Sequence, residues 1–541
     1  MRRILAGLFA TALCVFGTTA FAAPAGAPAQ RVGRPALAPA GSNLLLNPGA
    51  ETGLCTTSGF DAMTVPGWTV TEGASDSVCY GSVGFPRPDV PGPDDRGRAF
   101  FSGGATGDAS MSQRVDVSSA TSAIDRGGVG YQLDGWLGGW AGQNDRVGVR
   151  ATFLDGSGVA LATAWLVPVT NTDRDGVTGL LFRASAGRVP PLTRTVLVTV
   201  TDLWTAGNTT DGYADNLGLR LSVPVTAPRL VPPPSVVPTF DHVFFVFMEN
   251  ENAMSHEVPL GTGHYIVGNP AARYLNATIA PQGSLLIQLY ATTHPSDPNY
   301  LAVSGGSTFG WVTNPVVGTD MIDAPHLGDR LEAAGRSWKA YAGGSLGNCD
   351  LTEHNTAAGG WYLPDDQPFM LYKDVATDRA RCVAHDQPLS AFAGDLRSTA
   401  TTPDFVWFAA NDVDNMEEGG VAAGDAWLGR VLPQIFNSPA WTDQRSLLIV
   451  SWDEGHTKAF GPEYPNHVAA YVLASQGMVK QGYVSPVRYT DYSLGRTIEE
   501  ALNIPPLTSN DMYALPLGDV WAARSKSGGS GGATTSLRTA R

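Results

Sequence analysis

Short β-branched and apolar runs dominate the first part of the chain. Arg194–Thr201 is one such run, and Asp145–Leu154 is another. The second run leads into Asp155-Gly156, a hairpin-turn signal, and then into a further apolar stretch. We find no convincing helical period in this part. The pattern predicts an all-β sandwich over residues 42–223.

The second part of the chain alternates apolar runs with helical patterns. Several runs are continuously apolar, as is typical of strands buried on both faces of a sheet. The alternation predicts an α/β domain with a mostly parallel sheet over residues 239–523. The predicted strands are Asp241–Phe247, Ser284–Tyr290, Ser337–Tyr341, Asp404–Phe408, Ser446–Val450 and His467–Leu473. The predicted helices are His326–Ala334, Gly424–Phe436 and Ser493–Leu502.

The segments outside these two domains have their own signatures. Arg2 and Arg3 precede an apolar run that is too short to span a bilayer, and Ala20-Phe21-Ala22 forms a small-x-small cleavage site. We therefore expect a signal peptide over residues 1–22 and a secreted protein with no transmembrane segment. Residues 23–41 indicate an Ala/Pro linker, 224–238 a stiff Pro-rich linker and 524–541 a flexible tail.

Charge and cysteine content narrow the function classes. The 541 residues carry a formal net charge of -15, and no basic stripe with interleaved aromatics is present, so nucleic acid is not an expected partner. Four cysteines remain after the signal peptide. They include no CxxC pair, which favours disulfides over a zinc site. The pairs that are near in sequence are Cys55–Cys79 and Cys349–Cys382, one in each predicted domain.

Polar groups follow four of the predicted strands in the second domain. Ligands bind at the carboxyl ends of strands in open α/β sheets, so these groups are expected to converge on one site. Each group alone has an ordinary interpretation as a turn or cap residue, and the joint placement favours the functional one. The groups are Glu249-Asn250, the segment Thr292–Asn299, Asn411-Asp412 and Asp453-Glu454.

The types of side chain indicate a divalent cation. Glu249, Asp453 and Glu454 offer carboxylates and Asn250 a neutral oxygen, a set that suits calcium, magnesium or manganese. Three acids gathered without a cation would repel one another. His467, at the start of a predicted strand, would extend the choice to zinc or iron. The identity of the metal stays open.

Seven segments of the second domain occur in one order that resembles a known family. They are similar to the phosphoesterase family of bacterial phospholipases C and acid phosphatases, within the alkaline phosphatase superfamily. The resemblance implies an alkaline-phosphatase-like fold for this domain. The segments are Val246–Asn250, Thr293–Tyr300, Arg336–Tyr341, Ala422–Leu428, Asn437–Trp441, Ser451–Gly455 and Tyr489–Glu500.

The resemblance implies roles for individual residues. Ser296 matches the hydroxyl nucleophile in a Ser/Thr-x-Pro-Asn pattern and would also contact the metal, with Thr293 as the rival nucleophile. The implied reaction forms a phosphoserine that water then hydrolyses. The positions that match the metal site are Glu249, Asn250, Asp453 and Glu454. The candidates for holding phosphoryl oxygens are Asn250, His294 and Lys339, and His467 matches a family histidine. The alternatives are that Lys339 faces solvent and that His467 is a buried histidine bonded to the backbone.

Two positions depart from the family pattern. The family often has histidine where this chain has Asp366 and Glu417. Histidine could hold phosphate or protonate a leaving group, whereas an acid does so only when protonated, or recruits a second cation. The change therefore predicts either retuned chemistry or a weakened domain.

The first domain resembles galactose-binding-like, jelly-roll carbohydrate-binding modules. The matching segments are Asn43–Glu51, Pro66-Gly67-Trp68 and Tyr213–Leu221. The resemblance implies polysaccharide as a partner and a structural calcium near the first and last strands, for which Glu51 and Asp215 are candidates. Solvated turn acids are the equal alternative. The candidates for stacking on sugar rings, or else for the core, are Trp136, Trp140 and Trp204.

The leading functional hypothesis is a secreted, metal-dependent phosphoesterase that acts on phosphate esters. Phosphatase and phospholipase C-like activities are both open, and the substrates include phosphoinositides and phospholipids. The alternative is a degenerate extracellular protein that binds phosphate and carbohydrate without turnover. Ser296 and the complete metal set favour the enzyme, whereas Asp366 and Glu417 favour the alternative.

Overall fold

A computed structural model describes residues 41–356, 360–456 and 466–523. The signal peptide, most of the Ala/Pro linker and the C-terminal tail lie outside these ranges. The two sequence-near disulfides are present, Cys55–Cys79 and Cys349–Cys382. The prediction of their pairing is therefore confirmed. No helix in the described ranges is long and apolar enough to cross a membrane.

The N-terminal part forms two five-stranded antiparallel sheets. The first sheet has the order β1-β4-β9-β6-β7 and the second β2-β3-β10-β5-β8. One short helix, α1 (Thr121–Asp125), lies between two strands of different sheets, where no helix was predicted. The strands are β1 Thr69–Glu72, β2 Asp76–Cys79, β3 Ala99–Ser102, β4 Ala109–Asp116, β5 Gly130–Gly139, β6 Arg146–Leu154, β7 Ala160–Leu166, β8 Gly179–Arg188, β9 Thr195–Leu203 and β10 Gly212–Leu221.

Alternation along the strands builds the core of this sandwich. In β6, Val147, Val149, Ala151 and Phe153 are buried, and the residues between them are partly exposed. Side chains alternate between the two faces of a strand, so one face of β6 lies in the core and the other meets solvent. The prediction of an all-β sandwich is confirmed.

The C-terminal part is an α/β domain around one mixed sheet. Its order is β16-β13-β17-β11-β18-β19-β12-β20, and β21 also pairs with β12. The strands are β11 His242–Met248, β12 Ser284–Tyr290, β13 Trp338–Ala342, β16 Asp386–Pro388, β17 Phe405–Ala409, β18 Ser446–Trp452, β19 His467–Ala474, β20 Tyr483–Ser485 and β21 Tyr489–Thr490, with β14 His354–Asn355 and β15 Trp361–Tyr362 in a separate pair. The helices are α2 Ser296–Gly305, α3 Leu327–Ala333, α4 Lys373–Ala376, α5 Arg379–His385, α6 Leu389–Asp395, α7 Gly420–Phe436, α8 Pro439–Thr442, α9 Asp491–Leu502 and α10 Ser509–Tyr513.

Parallel pairing prevails in this sheet. Strand β11 lies between β17 and β18 and is parallel to both. All seven residues of β11 are buried, as its continuous apolar run predicts. Strand β19 is the antiparallel exception, and it lies between β18 and β12. The prediction of an α/β domain with a mostly parallel sheet is confirmed.

The two domains are joined by direct hydrogen bonds as well as by the linker. The backbone N–H of Ala62 donates to the carbonyl oxygen of Thr292 at 2.9 Å. The hydroxyl of Thr308 donates to Oδ2 of Asp61 at 2.7 Å. The loop after β12 therefore packs directly against the sandwich.

Candidate active site at the carboxyl ends of the parallel strands

Two neighbouring parallel strands deliver the central acidic residues. Glu249 and Asn250 follow β11, and Asp453 and Glu454 follow β18. The strands are in register, with Met248 opposite Trp452, so the four residues meet at one edge. The backbone N–H of Asn250 donates to Oδ1 of Asp453 at 2.9 Å. Asn250 has a φ of 51°, a left-handed conformation that asparagine tolerates well.

Ser296 reaches these residues from the next strand-to-helix loop. It is the first residue of α2, and its Oγ donates to Oε2 of Glu249 at 3.0 Å. The amide of Asn250 donates to the same Glu249 oxygen at 3.1 Å and also to Glu417. The candidate nucleophile is therefore held against the carboxylates that were predicted to accompany it.

His294 and Thr293 occupy different surroundings in that loop. The Nδ1 atom of His294 contacts Oε2 of Glu454, and both residues are buried. The hydroxyl of Thr293 donates to the carbonyl oxygen of Phe60, in the sandwich, at 2.9 Å. Thr293 thus points its hydroxyl toward the first domain, whereas Ser296 points to the carboxylates.

The central oxygens are buried without enough protein donors. Each of the four residues after β11 and β18 has one buried oxygen with no hydrogen-bond partner among the described residues: Glu249 Oε1, Asn250 Oδ1, Asp453 Oδ2 and Glu454 Oε1. Burial, then repulsion from Asp453, raises the pKa of Glu249 well above its usual range. Burial, then Glu454, does the same to the pKa of Asp453. Oxygens of this kind suit a cation as their partner.

The two positions that depart from the family pattern join the same cluster. Glu417 contacts Asn250, and burial with repulsion from Asp365 and Asp412 raises the pKa of Asp366. Burial, then Glu418 and Glu417, raises the pKa of Asp412 to about 7. Both substituted acids therefore lie in the electrostatic field of the site rather than on a remote surface.

Asp297 is an acidic residue of this cluster to which the sequence analysis gave no role. It follows Ser296 directly, is buried, and has an Oδ2 atom with no partner among the described residues. Burial, then Asp365, raises its pKa well above the usual range. Its place inside the motif Thr293–Tyr300 was the available signal, but no pattern related it to Asp365, which is far away in sequence.

The oxygen atoms of the proposed metal ligands suit a hard cation. Their three carboxylates are, however, not close together. Glu249, Asp453 and Glu454 do not bring three carboxylate oxygens within 4.8 Å of one another. In the described ranges only His326, Asp329 and Asp374 meet that spacing. That group lies at the start of α3, and Arg381 forms ion pairs with both of its aspartates. These three residues are therefore spaced for a metal ion, but the guanidinium of Arg381 already neutralises their aspartates.

Lys339 is placed away from the site, which corrects the prediction that it holds phosphoryl oxygens. It pairs with Val406 in the sheet, and Val406 pairs with Phe244, five residues before Glu249. Its Nζ donates to Oδ2 of Asp395 at 2.7 Å. Lys339 therefore lies near the amino end of β13, Trp338–Ala342, because the Arg336–Tyr341 motif begins before the strand rather than at its carboxyl end.

His467 also differs from its predicted role. It begins β19, and its Nε2 lies 2.7 Å from the carbonyl oxygen of Ile287, while its Nδ1 contacts Glu257. The ring is stacked on Tyr290 with the centroids 4.7 Å apart. Both ring nitrogens are engaged, so His467 is a buried structural histidine and offers nothing to zinc or iron.

In the sandwich, the calcium candidates are satisfied by protein donors. The carboxylate of Glu51 accepts the backbone N–H of Arg98 at 3.0 Å and of Ala99 at 3.1 Å. Asp215 accepts the hydroxyl of Tyr80 at 2.8 Å and the N–H of Asn216 at 2.6 Å. Both carboxylates therefore already accept protein hydrogen bonds, and the calcium in the sandwich stays a prediction.

Of the three tryptophans that were candidates for sugar stacking, Trp136 lies in a core and Trp140 is half-buried against it. Trp136 is buried and packs edge-on against Phe182, and Trp140 packs against the same small cluster. Trp204 is half-buried and lies at the boundary with the second domain. Trp165, which the sequence analysis did not single out, is 56% exposed and carries Arg150 over its ring.

A serine hydroxyl beside buried acids at the carboxyl edge of an α/β sheet is an arrangement that suits the hydrolysis of phosphoric esters. Residues 270–505 match the model of the Phosphoesterase family. A phosphatidylinositol-3-phosphatase of Mycobacterium tuberculosis is 29% identical over 294 residues, 53% of this chain and 85% of that protein. A phosphate-repressible acid phosphatase of Penicillium chrysogenum is 25% identical over 252 residues, 44% of this chain and 57% of that protein.

Solved structures resemble each domain only weakly. A protein in the alkaline phosphatase superfamily from Vibrio parahaemolyticus has 15% identity and a TM-score of 0.36, over 54% of this chain and 73% of that one. A carbohydrate-binding module in complex with β-1,4-galactotriose has 20% identity and a TM-score of 0.21, over 33% of this chain and 98% of that one. At these TM-scores the likenesses say nothing about ligands.

Proposed function

We propose that the protein is a secreted, metal-dependent phosphoesterase that hydrolyses phosphate esters through a phosphoserine on Ser296. The observation that carries the proposal is the hydrogen bond from Ser296 to Glu249, beside buried oxygens that lack protein partners. The named relatives, a phosphatidylinositol-3-phosphatase and acid phosphatases, support phosphate monoesters as substrates, with phosphoinositides among them.

The proposed metal ligands are Glu249, Asn250, Asp453 and Glu454, with Ser296. A divalent cation held there would neutralise phosphoryl charge and help to ionise the serine hydroxyl. Only oxygen atoms are offered, since His467 is engaged elsewhere, and such a set favours calcium, magnesium or manganese over zinc.

Ser296, Glu249 and His294 would carry out the bond-making and proton-transfer steps. Ser296 Oγ attacks phosphorus, the ester P–O bond breaks, and the alcohol leaves; the serine proton passes to Glu249, to which Oγ already donates. Water then breaks the phosphoserine, which returns the hydroxyl to Ser296 and releases inorganic phosphate. His294, in contact with Glu454, is placed to donate to a phosphoryl oxygen or to the departing alcohol.

A specific observation also favours a second function, phosphate binding without turnover. Asp366 and Glu417 stand where the family often has histidine, and both join the acidic cluster. Their extra negative charge opposes a phosphate unless a cation offsets it. In this case the sandwich, with a polysaccharide as its proposed ligand, would carry the main activity.

Release of nitrophenol by the purified mature protein separates the two functions, because both a phosphomonoester and a phosphodiester of nitrophenol free this alcohol on hydrolysis. Each ester is incubated with chelator, and then with calcium, magnesium, manganese or zinc added back. Activity that is lost with chelator and restored by one cation supports the enzyme and names its metal. No release with any of these cations contradicts the enzyme and leaves the binding function.

A further inference from the structure

A large cavity lies between the two domains, beside the proposed active site. Its volume is about 1200 Å³, and the sandwich, the Pro-rich linker and the α/β domain all contribute walls. Apolar and aromatic side chains from both domains line it, among them Trp68 and Trp204 from the sandwich and Tyr290, Tyr492 and Leu515 from the α/β domain. Pockets of roughly 300–1,000 Å³ hold most of a drug-sized molecule, so this cavity is large enough for a bulky organic group.

The loop that carries Ser296 forms one wall of this cavity. Residues 291–294 line it, and Ser296 follows two residues later. His294 borders both the cavity and the acidic cluster, because it lines the cavity and contacts Glu454. The cavity therefore lies next to the loop that would carry a phosphate at Ser296.

Arg488 provides a cationic group in a wall that is otherwise mainly apolar. Its guanidinium lies 3.6 Å from the centroid of the Tyr290 ring. It also donates to the carbonyl oxygen of Gly73, in the sandwich. Its buried Nε has no hydrogen-bond partner among the described residues. The cavity thus combines apolar surface with a hydrogen-bond donor, as a site for an amphiphilic organic group requires.

We propose that this interdomain cavity binds the alcohol portion of a bulky phosphate ester, so that the sandwich forms part of the substrate site. The inference rests on the proposed function, because the ester is placed by its phosphate at Ser296. The apolar body of the alcohol lies against Trp204 and Leu515, and its oxygen atoms accept from Arg488. The sandwich is then a determinant of specificity and not only a tether.

Two esters with the same leaving-group chemistry test this inference. Phenyl phosphate and 4-octylphenyl phosphate, the latter below its aggregation concentration, differ only in the apolar tail. We expect kcat/KM to be at least about tenfold higher for the octyl ester, because each buried methylene favours binding. Equal values for the two esters would overturn the proposal.

A pair of tryptophan variants locates the tail. Trp204→Ala removes an aromatic wall of the cavity and should reduce the octyl-to-phenyl ratio about fivefold or more. Trp165→Ala is the matched control, since Trp165 is also a partly exposed sandwich tryptophan but does not line the cavity. An unchanged ratio in Trp204→Ala, or an equal fall in both variants, would contradict the proposal.

The opposite wall offers a second pair. Leu515→Asp places a carboxylate in the cavity from the α/β domain. Val484→Asp places one on a strand of the same domain that does not line the cavity. The wild-type side chains are similarly exposed, Leu515 at 45% and Val484 at 50%. The octyl-to-phenyl ratio should fall in the first variant only. If wild type hydrolyses neither ester, the proposed function fails by itself. Calorimetry then measures the affinity of 4-octylphenylphosphonate for wild type and for Trp204→Ala. Weaker binding to the variant supports the cavity as the binding site of the alcohol, and equal affinities would overturn the proposal.

Discussion

The acidic residues singled out in the two domains have opposite surroundings. In the sandwich, Glu51 and Asp215 accept hydrogen bonds from backbone N–H groups and from a tyrosine hydroxyl. In the α/β domain, Glu249 and Asp453 are buried, and each has an oxygen with no partner in the described part of the chain. A carboxylate that accepts protein hydrogen bonds is stabilised without an ion, whereas a buried one that lacks them calls for a cation or a proton.

Asp76 shows that an unsatisfied buried acid alone does not indicate a cation site. It is a fully buried sandwich acid, and both of its carboxylate oxygens lack partners among the described residues. Burial, then Asp61 and Asp202, raises its pKa well above the usual range, which favours the neutral form. What distinguishes the α/β site is thus the combination of unsatisfied acid oxygens with a serine hydroxyl and an asparagine amide that both donate to Oε2 of Glu249.

The largest expected effect follows removal of the nucleophile. Ser296→Ala should reduce phosphate release by about 10³-fold or more, because no other group replaces the covalent step. Thr293→Val, which removes the rival hydroxyl, should change turnover by less than about tenfold. Rates with phenyl phosphate, together with circular dichroism of each variant, check both expectations. Loss of turnover in Thr293→Val alone would transfer the assignment to Thr293.

Cation binding should separate the two sets of acids. Adding the activating cation to chelator-treated protein should raise the melting temperature of wild type, because the ion binds only the folded state. Asp453→Asn should abolish this rise, whereas Asp215→Asn should keep it. Differential scanning calorimetry gives the shifts. A rise that survives Asp453→Asn and disappears in Asp215→Asn would place the ion in the sandwich.

A smaller effect concerns the dependence of stability on pH. Asp491 is fully buried at the start of α9, and burial raises its pKa from 3.8 to about 8. The folded state therefore holds a proton that the unfolded state loses near pH 4. The resulting stabilisation is complete below that pH and is lost progressively up to about pH 8.

Asp491→Asn should remove this contribution. The variant keeps an oxygen to accept the N–H of Thr292, which donates at 2.7 Å. The slope of the free energy of unfolding against pH should become less negative by up to about 1.4 kcal/mol per pH unit between pH 5 and 8. Urea denaturation at several pH values measures the slope. Asp155→Asn, at an exposed turn, should leave it unchanged, and an unchanged slope in Asp491→Asn would show that the carboxyl ionises in the fold.

The smallest effect is expected at Lys339. Lys339→Met removes a partly exposed ion pair with Asp395 and should change the free energy of unfolding by less than about 1 kcal/mol. Turnover should stay unchanged because Lys339 lies away from the carboxyl ends of the strands, where the proposed active site is. Activity and denaturation assays on the same sample check both. A large loss of kcat without loss of stability would return Lys339 to the active site.

Local sequence patterns predicted the structure correctly where the residues of a single strand determine how deeply that strand is buried. The apolar run of β11 required burial on both faces and therefore a central strand, and it placed Glu249 and Asn250 at a strand end. The family resemblance did not reveal the partners of Lys339 and His467, whose side chains contact Asp395 and Glu257. Those partners are distant in sequence, so no local pattern contained them.

The sequence by itself determined the two fold classes, the disulfide pairs and the order of the motifs, because each depends on local periodicity or on neighbours along the chain. Tertiary structure alone decided which acids stay unsatisfied, where Asp366 and Glu417 lie, and that Thr293 faces the sandwich while Ser296 faces Glu249. It also formed the interdomain cavity. These features depend on contacts between segments that are far apart in the chain, and packing of the whole molecule sets them.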